Sequence, residues 1–368
     1  MPALPGLLSA HDVAATAASI ASVQEPDGAI PWTRGGHTDV WNHVEAAMAL
    51  LVGGQTEAAH RAYDWCLATQ RPDGSWPLRY AQGAVEDPAA ETNMSAYLAV
   101  GVWHHWLVHH DEPFVRRTWP AVRAALDFVV GQQLPFGGIA WAEPHPVPPD
   151  SAAGPGAREG ALLAGSSSIF HALTAGLALS ELMEDPQPDW ELAAGRLRHA
   201  LRRHRDLFLD RSTYSMDWYY PVLGGAVRGD EGRDLLAPRW DDFVVPGLGI
   251  RCVDTNPWVT GAETCELVLA LDALGDRARA LMLLREIQHL RSDSGAYWTG
   301  YVWPDEAVWP REQTTYTAAA VVLAVDALST TTRGSDIFRG TSLRTRLPEI
   351  GLECGCAAVA APQHEGAY

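Results

Sequence analysis

The chain has 368 residues, of which 47% are hydrophobic and 20% charged, and its formal net charge is −18. This composition is typical of a globular protein with a sizeable core. The acidic surface argues against nucleic acids and anionic membranes as partners, because both carry negative charge. The sequence shows neither an apolar run of the roughly 18 residues that a membrane span needs nor a signal peptide.

Helical periodicity predicts two alternating sets of helices. The more polar, outer helices fall near residues 10–23, 55–70, 113–133, 188–208, 230–240 and 276–291. The more apolar, inner helices fall near residues 38–53, 89–107, 160–182, 214–225, 257–274 and 311–329. Helices that are apolar almost all round belong in a buried layer. Six helices of each set predict an all-α fold, an (α/α)6 barrel formed by residues 1–335, with a C-terminal tail over 336–368.

One turn phrase recurs between the helices. It is clearest at Gln24–Trp32 and Gln70–Trp76, and looser copies lie at 133–141 and 292–298. In its Pro-Asp-Gly centre, Pro presets φ, Asp bonds back to the backbone and Gly takes a positive φ. The repeating unit is therefore a helix, a turn, an aromatic residue and a second helix.

Loop lengths indicate where chemistry takes place. The connections from inner to outer helices are short, as at 53–54 and 275, whereas residues 71–88, 134–159 and 292–310 form long connections from outer to inner helices. Long loops on a rigid frame usually carry function. All of them are expected at the rim where the inner helices begin. The segment 226–256 is the exception to the helical pattern, since 243–246 and 249–252 resemble short strands.

Carboxylates and aromatic residues cluster at this rim. Glu45, Glu91, Glu263 and Glu312 each precede or enter an apolar helical run, so in a closed ring they should converge on the lumen. An acid in a first helical turn can be only a cap, which contributes about 0.5–2 kcal/mol. Caps do not explain the Trp, Tyr, Asn and His residues beside these acids.

This combination favours glycoside hydrolysis, in which two carboxyl groups flank the scissile bond and aromatic faces stack on sugar rings. We predict Asp39 and Glu263 as the catalytic pair. Helix N–H groups should favour ionised Asp39 as the base, and the apolar flank of Glu263 should favour its protonated form as the acid. The predicted substrate-binding residues are Trp41, Asn42, Glu91, Asn93, Trp218, Tyr219, Trp258, Glu312 and Tyr316.

We predict no cofactor and no metal at this site. His43 and His171 are expected to be hydrogen-bonded wall groups, and the run His104–His110 is expected at the surface. The five cysteines are scattered and odd in number, which suits reduced thiols in the cytoplasm. Cys354-Gly-Cys356 has no second pair that would complete a metal site.

Two resemblances bear on function. The Gln–Pro-Asp-Gly–Trp phrases resemble the repeats of squalene-hopene cyclases and protein prenyltransferases, which are also helical barrels. However, Arg239-Trp-Asp-Asp242 lacks the first Asp of the cyclase acid motif. The segment Asp39–Leu50, with Gly261–Thr264, is more similar to the actinobacterial glycoside hydrolase family that includes the mycobacterial methylmannose polysaccharide hydrolase. That resemblance implies intracellular cleavage of internal α-1,4 bonds in 3-O-methylmannose chains by Asp39 and Glu263, and we expect the cleavage to invert the anomeric configuration.

Three kinds of protein therefore remain as alternatives. The first is a cytoplasmic, inverting glycosidase that acts on an oligo- or polysaccharide. The second is a terpenoid cyclase or prenyltransferase-like enzyme, which would need a diphosphate site that the acidic rim opposes. The third is a non-catalytic carbohydrate-binding barrel. Sugar epimerases and lyases share the fold. A lyase is a further alternative, because Tyr316 could act as a base beside Arg311.

Overall fold

The structure is a computed structural model that describes residues 1–142, 160–343 and 347. The helices of these residues are α1 (Ala10–Ala21), α2 (Val40–Val52), α3 (Thr56–Thr69), α4 (Thr92–Ala96), α5 (Leu98–His109), α6 (Glu112–Val130), α7 (Leu163–Leu182), α8 (Pro188–Arg203), α9 (Ser215–Leu223), α10 (Gly229–Leu236), α11 (Trp240–Phe243), α12 (Gly261–Ala273), α13 (Arg277–Glu286) and α14 (Thr315–Ser329). Every range predicted from helical periodicity overlaps one of them.

The inner helices close into a ring, which confirms the predicted (α/α)6 barrel. The inner layer consists of α2, α4 with α5, α7, α9, α12 and α14. Around the ring, α2 packs on α5, α5 on α7, α7 on α9, α9 on α12, α12 on α14, and α14 back on α2. The outer layer consists of α1, α3, α6, α8, α10 and α13, and each of these packs on at least one inner helix.

The inner helices are apolar because they are covered on nearly all sides. In α2 only Asn42 is not buried, and in α14 only Ser329 is not. Helix α7 is long and apolar enough to cross a membrane by length and composition, and 83% of its most apolar window is buried in the barrel. The position of α7 in the inner layer therefore accounts for its apolar composition.

The recurring turn phrase joins neighbouring outer helices. The side-chain amides of Gln24, Gln70 and Gln133 each donate two hydrogen bonds of 2.9–3.0 Å, one to the glycine carbonyl four residues later and one to a carbonyl of the next outer helix. Gly28 and Gly74 have φ values of +102° and +90°, as the sequence predicts for this turn. The phrase is therefore a repeated link within the outer layer.

The long loops carry two small antiparallel sheets at one rim. Their strands are β1 (His37–Thr38), β2 (Pro77–Ala81), β3 (Ala84–Ala90), β4 (Val244–Val245), β5 (Gly249–Arg251), β6 (Trp258–Thr260), β7 (Gly300–Val302) and β8 (Ala307–Val308). The first sheet has the order β1-β2-β3 and the second β4-β5-β6-β7-β8. The strands predicted within 226–256 are present as β4 and β5, and they accompany the outer helix α10.

The opposite end of the ring is covered by the segment 333–343. Phe338 is buried, and its carbonyl accepts a 2.7 Å hydrogen bond from Arg228. Arg339 forms a 2.7 Å ion pair with Asp272 of α12. The first residues of the predicted tail thus pack on the barrel, whereas Cys354 and Cys356 lie outside the described residues.

Candidate active site

Two buried carboxyl groups lie at the N-termini of neighbouring inner helices. Asp39 is the N-cap of α2; its Oδ1 accepts the backbone N–H of Asn42 at 2.9 Å, and its Oδ2 accepts the side-chain amide of Asn42 at 2.7 Å. Glu91 is the N-cap of α4 and accepts the N–H of Met94 at 2.6 Å. Both acids are therefore caps as well as candidate catalytic groups.

Burial raises the pKa of both groups. For Asp39 the hydrogen bonds from Asn42 act in the opposite direction and favour the ionised form, as the position at a helix start predicts. Burial, together with the charge of Asp39, raises the pKa of Glu91 to about 8. Glu91 consequently holds a proton at neutral pH, directly beside a candidate base.

Glu263 lies in the first turn of α12, where its side chain is 9% exposed. Its charge contributes to raising the pKa of Tyr316 and of Cys252, which places the carboxylate near both side chains. Tyr316 opens α14, the helix between α2 and α12 in the ring. Tyr316 therefore lies between the Asp39 side of the mouth and the Glu263 side.

Aromatic rings form a continuous floor between these acids. Trp41 stacks on Tyr97 with ring centroids 4.4 Å apart, and its edge meets Tyr316 at 5.7 Å. Trp32 lies 5.6 Å from Tyr316 and stacks on His37 at 5.8 Å. Ring faces at the base of a mouth lined with carboxyl groups suit a pyranose substrate.

A second group of acids lies deeper in the ring. Glu45, one turn below Trp41, accepts a 2.8 Å hydrogen bond from Tyr97. Glu266, one turn below Glu263, accepts hydrogen bonds from Tyr219 and, at 2.7 Å, from Tyr220.

Both deep carboxyls are fully buried and close enough to interact. Burial and the charge of Glu266 raise the pKa of Glu45 well above its usual range. Burial raises the pKa of Glu266 to about 7. Glu266 and Tyr97 were not predicted from the sequence; for Glu266 the available signal was an acid inside an otherwise apolar helical run.

The four predicted glutamates therefore lie at different levels. Glu91 and Glu263 are at helix starts, Glu45 is inside the ring, and Glu312 is exposed ahead of α14, where it accepts a 3.4 Å hydrogen bond from the indole of Trp32. The expectation that all four converge on the lumen is wrong for Glu312. Helix α14 begins only at Thr315, so Glu312 belongs to the rim.

Other predicted binding residues differ in their position. Trp218 packs between the layers, where its indole donates to the carbonyl of Leu236 at 3.1 Å and stacks on Phe243, so it is a packing residue. Tyr219 is buried on Glu266, below the floor. Trp258 is half-buried at the rim and donates to the carbonyl of Trp309 at 2.7 Å.

Asn42 and Asn93 stand beside the two capping acids. Asn42 is half-buried and bound to Asp39. Asn93 lies in the first turn of α4, and its Oδ1 has no hydrogen-bond partner among the described residues.

The histidines were predicted only in part. His43 is buried, accepts the N–H of Ile30 at 3.0 Å and contacts the carbonyl of Ala62 at 2.8 Å, which confirms a wall role. His171 likewise contacts the carbonyl of Ile337 at 3.0 Å. His104 and His105 are fully buried, so the expectation of a surface run is wrong for them.

Comparison with known proteins agrees with this geometry. No family model matches the chain. It is 53% identical over 357 residues, 97% of each chain, to the MMP endo-(1,4)-3-O-methyl-alpha-D-mannosidase of Mycolicibacterium hassiacum. A wild-type glycosidase structure superposes with a TM-score of 0.67 at 18% identity, covering 87% of this chain and 97% of that one. The GH63 mannosylglycerate hydrolase of Thermus thermophilus gives 0.58 at 13% identity, covering 85% and 99%. These two structures show the shared fold.

Proposed function

Because the chain belongs to the glycoside hydrolase family of the M. hassiacum mannosidase, we propose that it hydrolyses internal α-1,4 bonds of 3-O-methylmannose polysaccharide. The observation that carries the proposal is a mouth of buried carboxyls over a floor of stacked rings, in a chain related to that enzyme over nearly its whole length. Methyl ethers remove hydrogen-bond donors from a sugar and add apolar surface, which suits contact with Trp32, Trp41 and Tyr316.

A groove at the same rim supports attack within a chain. It runs between α1 and the segment 294–315, is open to solvent, and is lined by Arg34, Trp298, Glu312 and Gln313 among others. Trp32 lies between the mouth and the groove, since it faces Tyr316 in the mouth and Glu312 at the groove. A polymer cleaved at the mouth could continue into this groove.

In the proposed mechanism Glu263 donates a proton to the glycosidic oxygen as its bond to the anomeric carbon breaks. Asp39 accepts a proton from a water molecule that attacks that carbon from the opposite face, so the configuration inverts. Asn42 holds the Asp39 carboxylate in place. Glu91 is the alternative acid, because a pKa of about 8 keeps it protonated at neutral pH.

The test is digestion of methylmannose oligosaccharides by wild type and by Asp39→Asn, Glu263→Gln and Glu91→Gln, with products sized by mass spectrometry and their anomers read by NMR. Loss of general acid or base catalysis should lower kcat about 10²–10⁴-fold. Asp234→Asn, an exposed carboxyl on outer helix α10, is the matched control.

The outcomes separate the alternatives. Equal loss in Asp39→Asn and Glu263→Gln, with an inverted product, supports the proposed pair. A larger loss in Glu91→Gln than in Glu263→Gln would transfer the acid role to Glu91. Binding without cleavage by wild type would favour a carbohydrate-binding barrel, and a cyclised terpenoid would overturn the assignment.

We also propose a cytoplasmic location, as the cysteine pattern predicts. Cys66, Cys252 and Cys265 are free thiols within the described residues. Secretion of the active enzyme by its host, measured by cell fractionation, would contradict this location.

A further inference from the structure

The closed end of the barrel, opposite the mouth, holds a cluster of potential metal ligands that glycoside hydrolysis does not use. His60 belongs to α3, His105 and His109 to α5, and Asp111 is the N-cap of α6. We call these four residues the His cluster. They lie at the short connection between α5 and α6, where loop length alone predicts no function.

Three residues of the His cluster, His60, His105 and Asp111, have ligand atoms close together. Nε2 of His60 and Nε2 of His105 are 3.0 Å apart. One ligand atom each from His60, His105 and Asp111 fall within 4.8 Å of one another. Two imidazole nitrogens on one tetrahedral Zn²⁺ are about 3.3 Å apart, given Zn–N bonds of 2.0–2.1 Å. A shift of a few tenths of an ångström would convert the contact into coordination.

His109 lies beside these three side chains, on the same helix face as His105. It follows His105 by four residues, and the two rings have centroids 5.1 Å apart. Residues four apart on a helix lie on one face, which is why paired histidines at this spacing bind metals.

The surroundings hold these ligands in place. The ring of His105 stacks on Phe114, with centroids 3.6 Å apart and an angle of 16° between the planes. The Oδ1 of Asp111 accepts the N–H of Phe114 at 3.1 Å, which fixes that carboxylate and leaves Oδ2 available. The nearby cation Arg117 is paired with Asp64, so its charge is already compensated.

We propose that His60, His105, His109 and Asp111 bind one divalent transition-metal ion, with Zn²⁺ as the expected species. Imidazole nitrogen and carboxylate oxygen are ligands that Zn²⁺ accepts in tetrahedral sites. The ion would link α3, α5 and the start of α6, in addition to the ion pair between Arg117 of α6 and Asp64 of α3. Its role is structural, because the site lies at the end of the ring away from Asp39 and Glu263.

The test uses the full-length protein after treatment with EDTA. Zn²⁺ is added, excess ion is removed by gel filtration, and the bound zinc is measured by elemental (inductively coupled plasma) mass spectrometry. Wild type should retain about one equivalent per chain more than His60→Gln, as a single tetrahedral site requires. Co²⁺ in place of Zn²⁺ should give the visible absorption of a tetrahedral complex in wild type only.

The control is His199→Gln. His199 and His204 form another close pair, with ring nitrogens 3.2 Å apart, on the outer layer. This variant should keep the metal. His60 is half-buried, so His60→Gln should fold; the melting temperature without metal checks this, and added Zn²⁺ should raise that temperature by several degrees in wild type but not in His60→Gln.

Equal metal retention by wild type and His60→Gln, or a melting temperature of wild type that Zn²⁺ does not change, would overturn the proposal. Hydrolysis rates should be the same with and without the ion. Loss of hydrolysis on metal removal at an unchanged melting temperature would contradict a structural role. Since metal retention is measured without substrate, this test is independent of the proposed mannosidase activity.

Discussion

The acids of the mouth and the acids of the deep ring are all buried, yet they are satisfied in different ways. Asp39 and Glu91 cap helices and take hydrogen bonds from backbone N–H groups. Glu45 and Glu266 lie inside helices, where the backbone N–H groups are already bonded, and they take hydrogen bonds from tyrosine hydroxyls.

This difference has a physical reason and a functional consequence. A helix start offers free N–H groups, so a carboxyl can be held there on one side while its other side faces the lumen. A carboxyl in mid-helix needs side-chain donors, and those donors enclose it. The mouth acids can therefore meet a substrate, whereas the deep acids support the floor beneath it.

The largest expected effect is on how stability depends on pH. The pKa of Glu91 is about 8 in the folded chain and near 4.5 when unfolded, so the unfolded state releases this proton first as pH rises. Protonated Glu91 therefore stabilises the fold fully below about pH 4.5. As the pH rises, this contribution to the free energy of unfolding decreases by roughly 1.4 kcal/mol per pH unit, and it is lost by about pH 8.

Glu91→Gln should remove that part of the slope, as measured by urea unfolding at several pH values. Glu266→Gln should remove a similar slope that ends near pH 7, because the pKa of Glu266 is about 7. If wild type and Glu91→Gln lose the same unfolding free energy per pH unit, Glu91 is not buried in its protonated form.

A smaller effect is expected from the tyrosines of the deep ring. Tyr219→Phe and Tyr97→Phe each remove a hydroxyl that donates to a buried carboxyl, which should cost about 1–3 kcal/mol of unfolding free energy. Tyr219→Phe should also raise the pKa of Glu266, since that hydrogen bond lowers it. Unchanged denaturation midpoints in both variants would mean that the deep acids do not need these donors.

The smallest effect on stability, with a distinct signature in activity, is expected from Asn42→Ala. In the wild type, the hydrogen bond from the side-chain amide of Asn42 lowers the pKa of Asp39, so loss of this hydrogen bond should raise that pKa further. The acidic limb of the kcat/KM profile should then move to higher pH, while the fold loses about 1 kcal/mol. An acidic limb at the same pH in wild type and Asn42→Ala would argue against Asp39 as the base.

The sequence by itself determined the helical ring, its two layers and its working rim. Apolar periodicity separates inner from outer helices, and the Pro-Asp-Gly turns place long loops on one side; both signals are local along the chain. The acids at the starts of α2, α4 and α12 were visible for the same reason, since a helix start can be read from its capping residue.

Tertiary structure alone decided how far apart in depth the acids lie and what each one contacts. Glu45 and Glu266 come from α2 and α12, on either side of α14, so no spacing in the sequence brings them together. Trp218 faces the outer layer and His105 meets His60 because ring closure selects the neighbours of each helix face. Periodicity identifies which face is buried, but the partner on that face, and with it the pKa of a buried acid, depends on the packed ring.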